Sequence, residues 1–377
     1  MNVLFVSRVN TVDNLNDSLT IVPRRMFQHM LAKDPDLTIT WTCPKMGEDE
    51  QAKLEKEYDP GGRIKFLPIN GTYSTRIEGY MVDIELVNAL RQYDLVVCQK
   101  PAVYRMLRDL CPVPCLMWHL WTATQAHAKQ IPMTYLGDPD VMAEQFSMLE
   151  GFHVYESHYL RGESLRNVGK YLSSKALDNW NLRSCVIPNG ILVDKIDSLR
   201  KPVTPTRLIW GGRWTPPKGF PAVVSSFSAA YRQKLTDEIV LTSPYSIEKS
   251  PLSAADVRVV DQNGWLEALA GGGFSVCSSK AESYGISWLE MLYSGVNVIF
   301  VRAPWQEGLL PPDYPFIVEK ESQLASTLIG LLQRPDFAVD YNEEVIKPWI
   351  RQRHDQRINA LALLDVLRKV YMGMYRA

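Results

Sequence analysis

The sequence predicts an α/β protein that contains two doubly wound parallel sheets. Short apolar runs rich in β-branched residues alternate with helical patterns, as expected for strands joined by helical crossovers. The alternation stops at a polar segment and then begins again, which indicates a second sheet. The 377 residues also suit two domains, each large enough to bury its own core.

The first half of the chain supplies the first sheet. NVLFVS, at the N-terminus, is a short β-branched run typical of a strand that is covered on both faces. Further strands are predicted at LTITWTC, IKFLPI, DLVVCQ, PCLMWHL, GFHVYES and SCVIPNG. Helical patterns occur at VPRRMFQHMLAKD, IELVNALRQY, AVYRMLRDL and VMAEQFSML. We assign residues 1–192 to this domain.

The segment 193–206 is polar, holds two prolines and lacks a sustained hydrophobic period, so we predict a linker there. Residues 207–355 then form the second domain. Its predicted strands are RLIWGGR, EIVLTS, VRVVD, FSVCSS and VNVIFV, and its helices are FPAVVSSFSAAYRQ, WLEALAG, ISWLEMLYSG and ESQLASTLIGLLQ. The final stretch, 356–377, is amphipathic and predicts a helix that returns to the first domain.

The bulk composition excludes several classes of protein. The formal net charge is -1 and the sequence pI is about 6.6, so no global basic field attracts nucleic acid. A local basic patch remains compatible with these values. No apolar stretch approaches the length of a membrane-spanning helix or of a signal sequence. We therefore expect a cytoplasmic protein without a transmembrane segment.

The cysteine and histidine patterns predict no metal site. Cys111 and Cys115 lack the Cys-x-x-Cys spacing, and His153 and His158 are five residues apart, the wrong step for one helical face. The six cysteines stand in apolar contexts that suit reduced core thiols. They are Cys43, Cys98, Cys111, Cys115, Cys185 and Cys277.

Three local patterns carry candidate chemistry, and the first is IWGGRWTPPKGF. An apolar strand ends at Trp210, two glycines let the backbone turn, and Arg213 and Lys218 precede a helix. Free amides in such a turn and fixed cations bind phosphate oxygens. Gly212, Arg213 and Lys218 are therefore candidate phosphate ligands. The alternative is a turn that carries two solvated cations.

The second pattern is AESYGISWLEML, in which Glu282 and Glu290 stand eight residues apart. On one continuous helix they would lie about 80° apart, so they share a face only if Glu282 precedes the helix. The amides of Tyr284–Ile286 would then face an anion, and Glu290 could accept hydrogen bonds from a ribose diol. The alternative is a Ser-x-x-Glu capping box formed by Ser287 and Glu290.

The third pattern is VPCLMWHLWTA, in which His119 follows an apolar strand of the first half. Ligands of doubly wound sheets bind at the C-terminal ends of the strands, so a cleft between the two domains is the default site. His119 contributes to that site only if the cleft brings it opposite the loops of the second half. The alternative is a structural histidine.

Together the three patterns resemble the retaining glycosyltransferases of the GT-B fold, especially those of family 4. Gly-Gly-Arg and Lys-Gly precede Glu-x-Tyr-Gly-x-x-x-x-Glu by about 70 residues, and the likeness extends to VIPNGI, DLVVCQKPAVYRML, VPCLMWHL and YESHYLRGESL. It covers most of the chain in the right order. The resemblance implies two Rossmann-like domains that face each other across a cleft, with a nucleoside-diphosphate sugar, expected to be UDP-linked, on the second domain.

The resemblance also implies roles for individual residues. Arg213 and Lys218 would hold the donor diphosphate and stabilise it as the leaving group. Glu290 would bind the nucleotide ribose, whereas Glu282 would contact the donor sugar. His119 would lie near the transferred sugar.

Further roles follow from the same resemblance. The amides near Tyr284, Gly285 and Ile286 would contact sugar and phosphate, and Asn189-Gly190 would form the interdomain hinge. No metal or other cofactor is required where cations and a helix N-terminus neutralise the diphosphate. The residues alone fix neither the base nor the sugar of the donor.

The acceptor side departs from the family pattern. Family members carry a glycine-rich loop after the first strand, whereas this chain reads SRVNTVDNLND, in which polar side chains replace glycine. These are Arg8, Asn10, Asp13 and Asn14. GGRWTPPKGF also resembles a motif of the phage DNA alpha-glucosyltransferases, which modify hydroxymethylcytosine. The hydroxyl acceptor could therefore be a surface glycan or lipid precursor, duplex DNA, or a small molecule.

A DNA acceptor would require phosphate contacts and an exposed base. The basic candidates are Arg24, Arg25, Arg161 and Arg166, and the candidates for stacking on an extruded base are Trp118 and Trp121. Two rival functions use the same fold without an acceptor. One is a sugar-nucleotide epimerase, and the other is a non-catalytic protein that binds sugar nucleotides.

Overall fold

The computed structural model describes most of the chain. The described residues are 1–6, 18–44, 46–69, 88, 90–99, 101–110, 113–120, 147–167, 169–212, 218–242, 252, 257–260 and 264–374. They form two compact units. Unit 1 comprises Met1–Asn189 and Arg357–Ala377, and unit 2 comprises Gly190–Gln356.

Unit 1 contains a seven-stranded parallel sheet. Its strands are β1 (Asn2–Val6), β2 (Thr38–Pro44), β3 (Ile64–Ile69), β4 (Leu95–Cys98), β5 (Cys115–His119), β6 (Phe152–Tyr155) and β7 (Ser184–Val186). The spatial order is β3-β2-β1-β4-β5-β6-β7, and each neighbouring pair is parallel. The order reverses between β1 and β4, which is the arrangement of a doubly wound sheet.

Aromatic side chains fill the core of unit 1 beneath its helices. The helices are α1 (Ser18–Lys33), α2 (Glu48–Tyr58), α3 (Pro101–Leu110), α4 (His158–Asn167) and α5 (Ser174–Leu182). Phe5 meets Phe27 and Trp41 edge to face, with ring centroids 5.0 and 4.8 Å apart. Trp118 packs at 6.1 Å from both phenylalanines and is 1% exposed. Such edge-to-face pairs stabilise a core beyond the area that they bury.

Unit 2 contains a six-stranded parallel sheet with the same winding. Its strands are β8 (Arg207–Trp210), β9 (Glu238–Leu241), β10 (Val257–Val259), β11 (Gly273–Cys277), β12 (Val296–Val301) and β13 (Ile317–Val318). They lie in the order β10-β9-β8-β11-β12-β13. The order here reverses between β8 and β11.

The helices of unit 2 are α6 (Val193–Ser198), α7 (Phe220–Arg232), α8 (Trp265–Leu269), α9 (Ile286–Tyr293), α10 (Leu324–Gln333), α11 (Asp336–Tyr341) and α12 (Lys347–His354). A π-helical turn, Asn342–Ile346, joins α11 to α12. The apolar sequence of α9 is explained by its burial, because six consecutive residues from Trp288 are buried. A helix that is apolar all round is expected to be enclosed by its own unit.

The segment that we predicted as a linker begins with helix α6 and belongs to unit 2. Val193 and Ile196 are 1% and 5% exposed, so one turn of helix buries two apolar side chains. This spacing is too short to give a sustained hydrophobic period, which is why the sequence pattern missed it.

The backbone at the two ends of unit 2 is paired. Ile191 N–H donates to the carbonyl of His354 at 2.7 Å, and Gln356 N–H donates to the carbonyl of Ile191 at 3.0 Å. Helix α13 (Gln356–Tyr371) follows, and from Arg357 the chain belongs to unit 1. There Arg368 binds the Asp34 carboxylate at 2.8 Å.

The prediction of two doubly wound parallel sheets is confirmed. The strand runs proposed from the sequence correspond to strands of the two sheets. The predicted helices at residues 84–93 and 141–149 lie largely outside the described residues.

Candidate functional site

The candidate site lies at the point in unit 2 where the strand order reverses. Because β8 and β11 are parallel neighbours, the loops that follow them leave the same edge of the sheet side by side. Doubly wound sheets bind ligands at this position. The first loop carries Gly212 and Lys218, and the second carries Glu282.

Tryptophan rings cover the glycines that end β8. A Cβ atom at Gly211 would lie 2.3 Å from the Trp265 ring, and one at Gly212 would lie 2.5 Å from the Trp210 ring. Neither position therefore accepts a side chain without displacing an aromatic ring. Arg213, the next predicted phosphate ligand, lies outside the described residues.

Gly219 joins the two loops of the site. It has a φ of 73° and precedes α7, and the Ser278 hydroxyl donates to its carbonyl oxygen at 3.2 Å. A Cβ atom at Gly219 would lie 1.7 Å from the Ser278 Oγ. Both the left-handed backbone and the close approach thus require glycine here. This contact fixes the residue directly after Lys218 against the end of β11.

Lys218 and Glu282 form an ion pair across the two loops. The carboxylate also accepts hydrogen bonds from the Ser279 hydroxyl at 2.8 Å and from the Trp288 indole N–H at 3.3 Å. The side chains of Lys218 and Glu282 are 17% and 12% exposed, so the pair is only partly shielded from water. The two predicted site residues are therefore brought together, with the lysine held by the carboxylate.

Helix α9 begins at Ile286, directly after this carboxylate loop. Gly285 stands at its N-cap with a φ of 83° and provides no side-chain cap, and the amides of Trp288 and Leu289 donate to its carbonyl. The alternative that Ser287 and Glu290 form a capping box is wrong, because the N-cap is Gly285 and Ser287 lies inside the helix. The amides of Ile286 and Ser287 precede these hydrogen bonds, and amides at this position of a helix lack an acceptor within it, which suits an anion at this end.

Glu290 lies one turn inside α9 and is 7% exposed. Its carboxylate accepts a hydrogen bond from the Trp265 indole N–H at 3.0 Å. Trp265 is the residue whose ring covers Gly211, so the carboxylate is fixed near the end of β8. Trp265 cannot be anticipated from the sequence, because nothing in WLEALAG distinguishes a site residue from a core tryptophan.

The side chain of Tyr284 is directed to the ends of unit 2. Its hydroxyl accepts a hydrogen bond from Gly190 N–H at 3.2 Å and lies 2.7 Å from His354 Nδ1. Burial lowers the pKa of His354 to about 4, so the ring is neutral. Its Nδ1 can therefore accept a hydrogen bond from the Tyr284 hydroxyl. The predicted hinge pair straddles the division of the chain, with Asn189 in unit 1 and Gly190 in unit 2.

His119 ends β5 in unit 1 and has no exposed surface. Its Nε2 lies 2.8 Å from His153 Nδ1, and its ring stacks on that of Tyr155 with centroids 4.2 Å apart. Burial, and secondarily the neighbouring His153, hold the pKa of His119 well below its usual 6.5. The predicted site histidine is thus a neutral ring within a buried pair. His153 was noted in the sequence only as an unsuitable metal ligand.

Three of the arginines proposed for DNA contacts are engaged within unit 1. Arg24 binds Glu57 at 3.1 Å, Arg161 lies 4.5 Å from the centroid of the Trp180 ring, and Arg166 pairs with Glu163. Arg25 also has an interaction partner.

The stacking role proposed for Trp118 is wrong, because this side chain belongs to the aromatic core and is 1% exposed. Trp121 lies outside the described residues, as do the polar residues of the first loop. These are Arg8, Asn10, Asp13 and Asn14.

Within the described part of the chain, no group of three or more histidine, cysteine or acidic side chains is arranged to hold a metal ion. In the same residues, no helix is both long and apolar enough to span a bilayer. The described cysteines Cys43, Cys98, Cys115, Cys185 and Cys277 are free thiols, whereas Cys111 lies outside the described residues.

No protein-family model matches the sequence, and no curated protein sequence matches it. Solved structures share the fold. Sucrose-phosphate synthase from Thermosynechococcus elongatus superposes with a TM-score of 0.71 at 14% identity, over 99% of this chain and 100% of that one.

Two further solved structures agree with this result. Anabaena HepE in complex with UDP-glucose gives a TM-score of 0.68 at 11% identity, over 98% of this chain and 100% of the other. WaaG, a glycosyltransferase involved in lipopolysaccharide biosynthesis, gives 0.62 at 11% identity, over 97% and 99%. At these identities the likeness shows the fold, which is the GT-B fold expected from the sequence motifs.

Proposed function

We propose that this protein is a retaining glycosyltransferase that moves a sugar from a nucleoside-diphosphate sugar to a hydroxyl acceptor. One observation carries the proposal. At the reversal point of the unit 2 sheet, Lys218 and Glu282 are paired beside the N-terminus of α9, and Glu290 is held one turn inside that helix. The structure of HepE with UDP-glucose, which has the same fold, supports a donor of this class.

The diphosphate is assigned to Lys218, Arg213 and the first amides of α9. Lys218 supplies a fixed positive charge, and charge-assisted hydrogen bonds to phosphate are about twice as strong as neutral ones. Arg213 is included on the sequence resemblance. Because Glu282 pairs with Lys218, a bound diphosphate competes with that carboxylate for the lysine. Glu282 becomes available to a sugar hydroxyl when the lysine turns to phosphate.

The ribose is assigned to Glu290. A carboxylate offers acceptors to both hydroxyls of a cis-diol, and the Trp265 indole holds one of its oxygens in place. The neutral ring of His119 in unit 1 is assigned to the transferred sugar.

In the proposed reaction, the bond between the anomeric carbon and the diphosphate oxygen breaks, and its electron pair leaves with the phosphate. The acceptor oxygen bonds the same face of that carbon, and its proton passes to a leaving-phosphate oxygen. Stabilising the departing negative charge is the largest contribution expected of the protein, and one such contact typically contributes 10²–10³ in rate. No protein nucleophile takes part.

The cations and the helix N-terminus neutralise the leaving group in this proposal, so neither a metal ion nor another cofactor is required. Activity in the presence of excess EDTA, at the level of the untreated enzyme, is the corresponding expectation. A loss of activity that added Mg²⁺ or Mn²⁺ restores would overturn metal independence. We place the enzyme in the cytoplasm together with its donor.

For the acceptor we propose a saccharide of a surface glycan or of a lipid-linked precursor. WaaG, which shares the fold, acts in lipopolysaccharide biosynthesis. Arg24, Arg161 and Arg166 already contact acidic or aromatic side chains in unit 1, which does not favour a cationic surface for duplex DNA. Hydroxymethylated DNA and small molecules remain arms of the test.

The test first screens nucleoside diphosphates and sugar nucleotides by thermal shift. A specific ligand at 100 times its Kd stabilises the folded protein by about 2.7 kcal/mol. The best donor, labelled in its sugar, is then incubated alone, with free and lipid-linked saccharides, with hydroxymethylated duplex DNA and with unmodified DNA. Label transferred to a saccharide with retained anomeric configuration is the expected result.

Each other outcome selects a different function. Transfer only to hydroxymethylated DNA would replace the saccharide acceptor. An altered free sugar that forms without any acceptor would identify an epimerase. Tight binding without turnover of the donor in any arm would identify a sugar-nucleotide-binding protein.

A further inference from the structure

The buried histidine pair of unit 1 has a defined direction of hydrogen bonding. His153 Nε2 lies 2.8 Å from the carbonyl oxygen of Ser147. A carbonyl oxygen only accepts, so His153 Nε2 carries a proton and donates it to this contact. In a neutral imidazole the other nitrogen is then an acceptor. His153 Nδ1 is therefore an unprotonated acceptor.

The position of the proton on His119 follows from that of His153. Its Nε2 lies 2.8 Å from the accepting Nδ1 of His153, so Nε2 is the donor. The Nδ1 of His119 is left as a lone-pair acceptor, and it has no hydrogen-bond partner among the described residues. A fully buried nitrogen without a partner is uncommon in folded proteins and calls for an explanation.

The neutral state of both rings is supported by their surroundings. Burial holds the pKa of His119 well below 6.5 and that of His153 at about 4. Tyr155 covers one face of His119, with the two ring planes 3° apart. His119 is also the last residue of β5, at the C-terminal edge where parallel sheets bind ligands.

We propose that His153 is a positioning residue, which fixes His119 in the tautomer protonated at Nε2 so that Nδ1 accepts a hydrogen bond from a hydroxyl of the transferred sugar. This inference rests on the proposed function. It adds the direction of the hydrogen bond, in which the sugar hydroxyl donates and His119 Nδ1 accepts. Because the histidine ring has no exposed surface, the hydroxyl must be enclosed with it away from water. A hydrogen bond in such a place is stronger than one in bulk solvent.

Two substitutions of His153 differ in whether they offer a hydrogen-bond acceptor to His119. His153→Asn places an amide oxygen near the position of Nδ1 and can still accept from His119. His153→Phe keeps a flat ring of similar size but offers no acceptor. Both lose the contact to the Ser147 carbonyl, so the comparison between them isolates the acceptor. The midpoint of thermal unfolding is measured for each variant first, so that both are compared at a temperature at which they are folded.

The first measurement is nitrogen-15 NMR of protein labelled at histidine, with His119 assigned by comparison with His119→Asn. In the wild type and in His153→Asn we expect a protonated Nε2 and an unprotonated Nδ1 at His119. In His153→Phe we expect the form protonated at Nδ1 to become populated. A wild-type His119 protonated at Nδ1, or an unchanged tautomer in His153→Phe, would overturn the positioning role.

The second measurement is transfer kinetics with the sugar nucleotide that binds best in the thermal-shift screen. His153→Phe is expected to lower kcat about tenfold, which corresponds to the free energy of one neutral hydrogen bond. KM for the donor should be nearly unchanged. His153→Asn is expected to retain most of the wild-type kcat. Equal losses in the two variants would indicate only a structural role for His153 and would overturn the proposal.

The third measurement identifies the partner of Nδ1. Adding the sugar nucleotide should shift the His119 Nδ1 resonance, whereas the matching nucleoside diphosphate, which lacks the sugar, should not. Equal shifts from both ligands, or none from either, would overturn the sugar contact. If no sugar nucleotide binds at all, the proposed function fails and the sugar contact fails with it, while the spectrum of the free protein decides the tautomer independently.

Discussion

The two sheets have the same winding but present different chemistry at their C-terminal edges. In unit 2 the loops after β8 and β11 carry the Lys218–Glu282 ion pair, which is partly exposed, beside the amide end of α9. In unit 1 strand β5 ends in His119, a neutral ring without exposed surface. The same backbone arrangement thus supports a charged site in one unit and an uncharged one in the other.

The difference lies in what each site can neutralise. A lysine paired with a carboxylate beside the N-terminus of a helix suits a ligand with several negative charges. A neutral ring in a dry environment discriminates against charge and selects a hydroxyl donor by geometry. In the proposed enzyme the diphosphate and the sugar therefore meet opposite kinds of surface. Four experiments test this contrast, from the largest expected effect to the smallest.

The largest effect is expected from Lys218→Ala. Loss of a charged hydrogen bond should weaken binding of the nucleoside diphosphate by about 1.5–3 kcal/mol and lower turnover by about 10²–10³. Calorimetry with UDP or the better-binding diphosphate gives the first value, and transfer assays give the second. The same substitution of Arg213 is expected to act in the same direction.

Lys320→Ala is the matched control, because this lysine is exposed and also belongs to unit 2. It should leave both quantities unchanged. If Lys218→Ala binds the diphosphate as tightly as the wild type does, the diphosphate does not bind at the charged site of unit 2. The contrast between the two units would then fail.

Acid should reveal that the histidine pair of unit 1 is uncharged. Burial lowers the pKa of His153 in the folded protein to about 4, and its usual value is 6.5. The stabilisation is therefore complete above about pH 6.5 and is lost as the pH falls towards about 4, by about 3 kcal/mol in total. Urea unfolding across this range gives the free energy of unfolding.

His153→Phe serves as the comparison because phenylalanine does not titrate. The wild type should lose stability relative to the variant as the pH falls. A stability difference that stays constant across the range would show that His153 is not held neutral, and unit 1 would then resemble unit 2 in carrying charge.

Glu290→Gln should have a smaller effect that is confined to ligand binding. Glutamine can still accept from the Trp265 indole, so the free energy of unfolding should change little. Donor affinity should fall about tenfold, since a charged acceptor for the ribose becomes neutral. Isothermal titration with the nucleoside diphosphate and urea unfolding measure the two quantities. A destabilised variant with normal binding would make Glu290 a purely structural residue.

The smallest effect is expected from Ser287→Ala. Helix α9 begins at Ile286 with Gly285 as its cap, so Ser287 caps nothing. The free energy of unfolding should change by less than about 0.5 kcal/mol, compared with about 1 kcal/mol for the loss of a serine cap. A loss of the larger size, measured by urea unfolding, would restore the capping box and weaken the assignment of this helix end to an anion.

Much of the fold could be predicted because short, continuous apolar runs indicate strands of a parallel sheet. The runs around Val3 and Val298 are buried on both faces, and no polar alternation obscures them. Helix α6 escaped prediction because one turn shows no period. Helix α2, with the sequence EDEQAKLEKEY, buries only Leu54 and Tyr58, and so its apolar pattern is too sparse to mark a helix.

The site could be predicted only in part. Local spacing placed Glu282 in a loop and Glu290 inside the following helix, and the structure agrees with both positions. The partners of these residues are remote in sequence. The Trp265–Glu290 hydrogen bond spans 25 residues, and the His119–His153 contact spans 34. No local pattern encodes such pairs, because they depend on which strands become neighbours.

The position of unit 2 between the two pieces of unit 1 has a consequence for synthesis of the protein. Unit 2 is an unbroken stretch of chain, whereas unit 1 is made of two pieces that flank it. Unit 1 can receive α13, including the Arg368–Asp34 contact, only after all of unit 2 has left the ribosome. Domains fold as units while translation proceeds. The unit that is translated second is therefore the first whose fold can be completed.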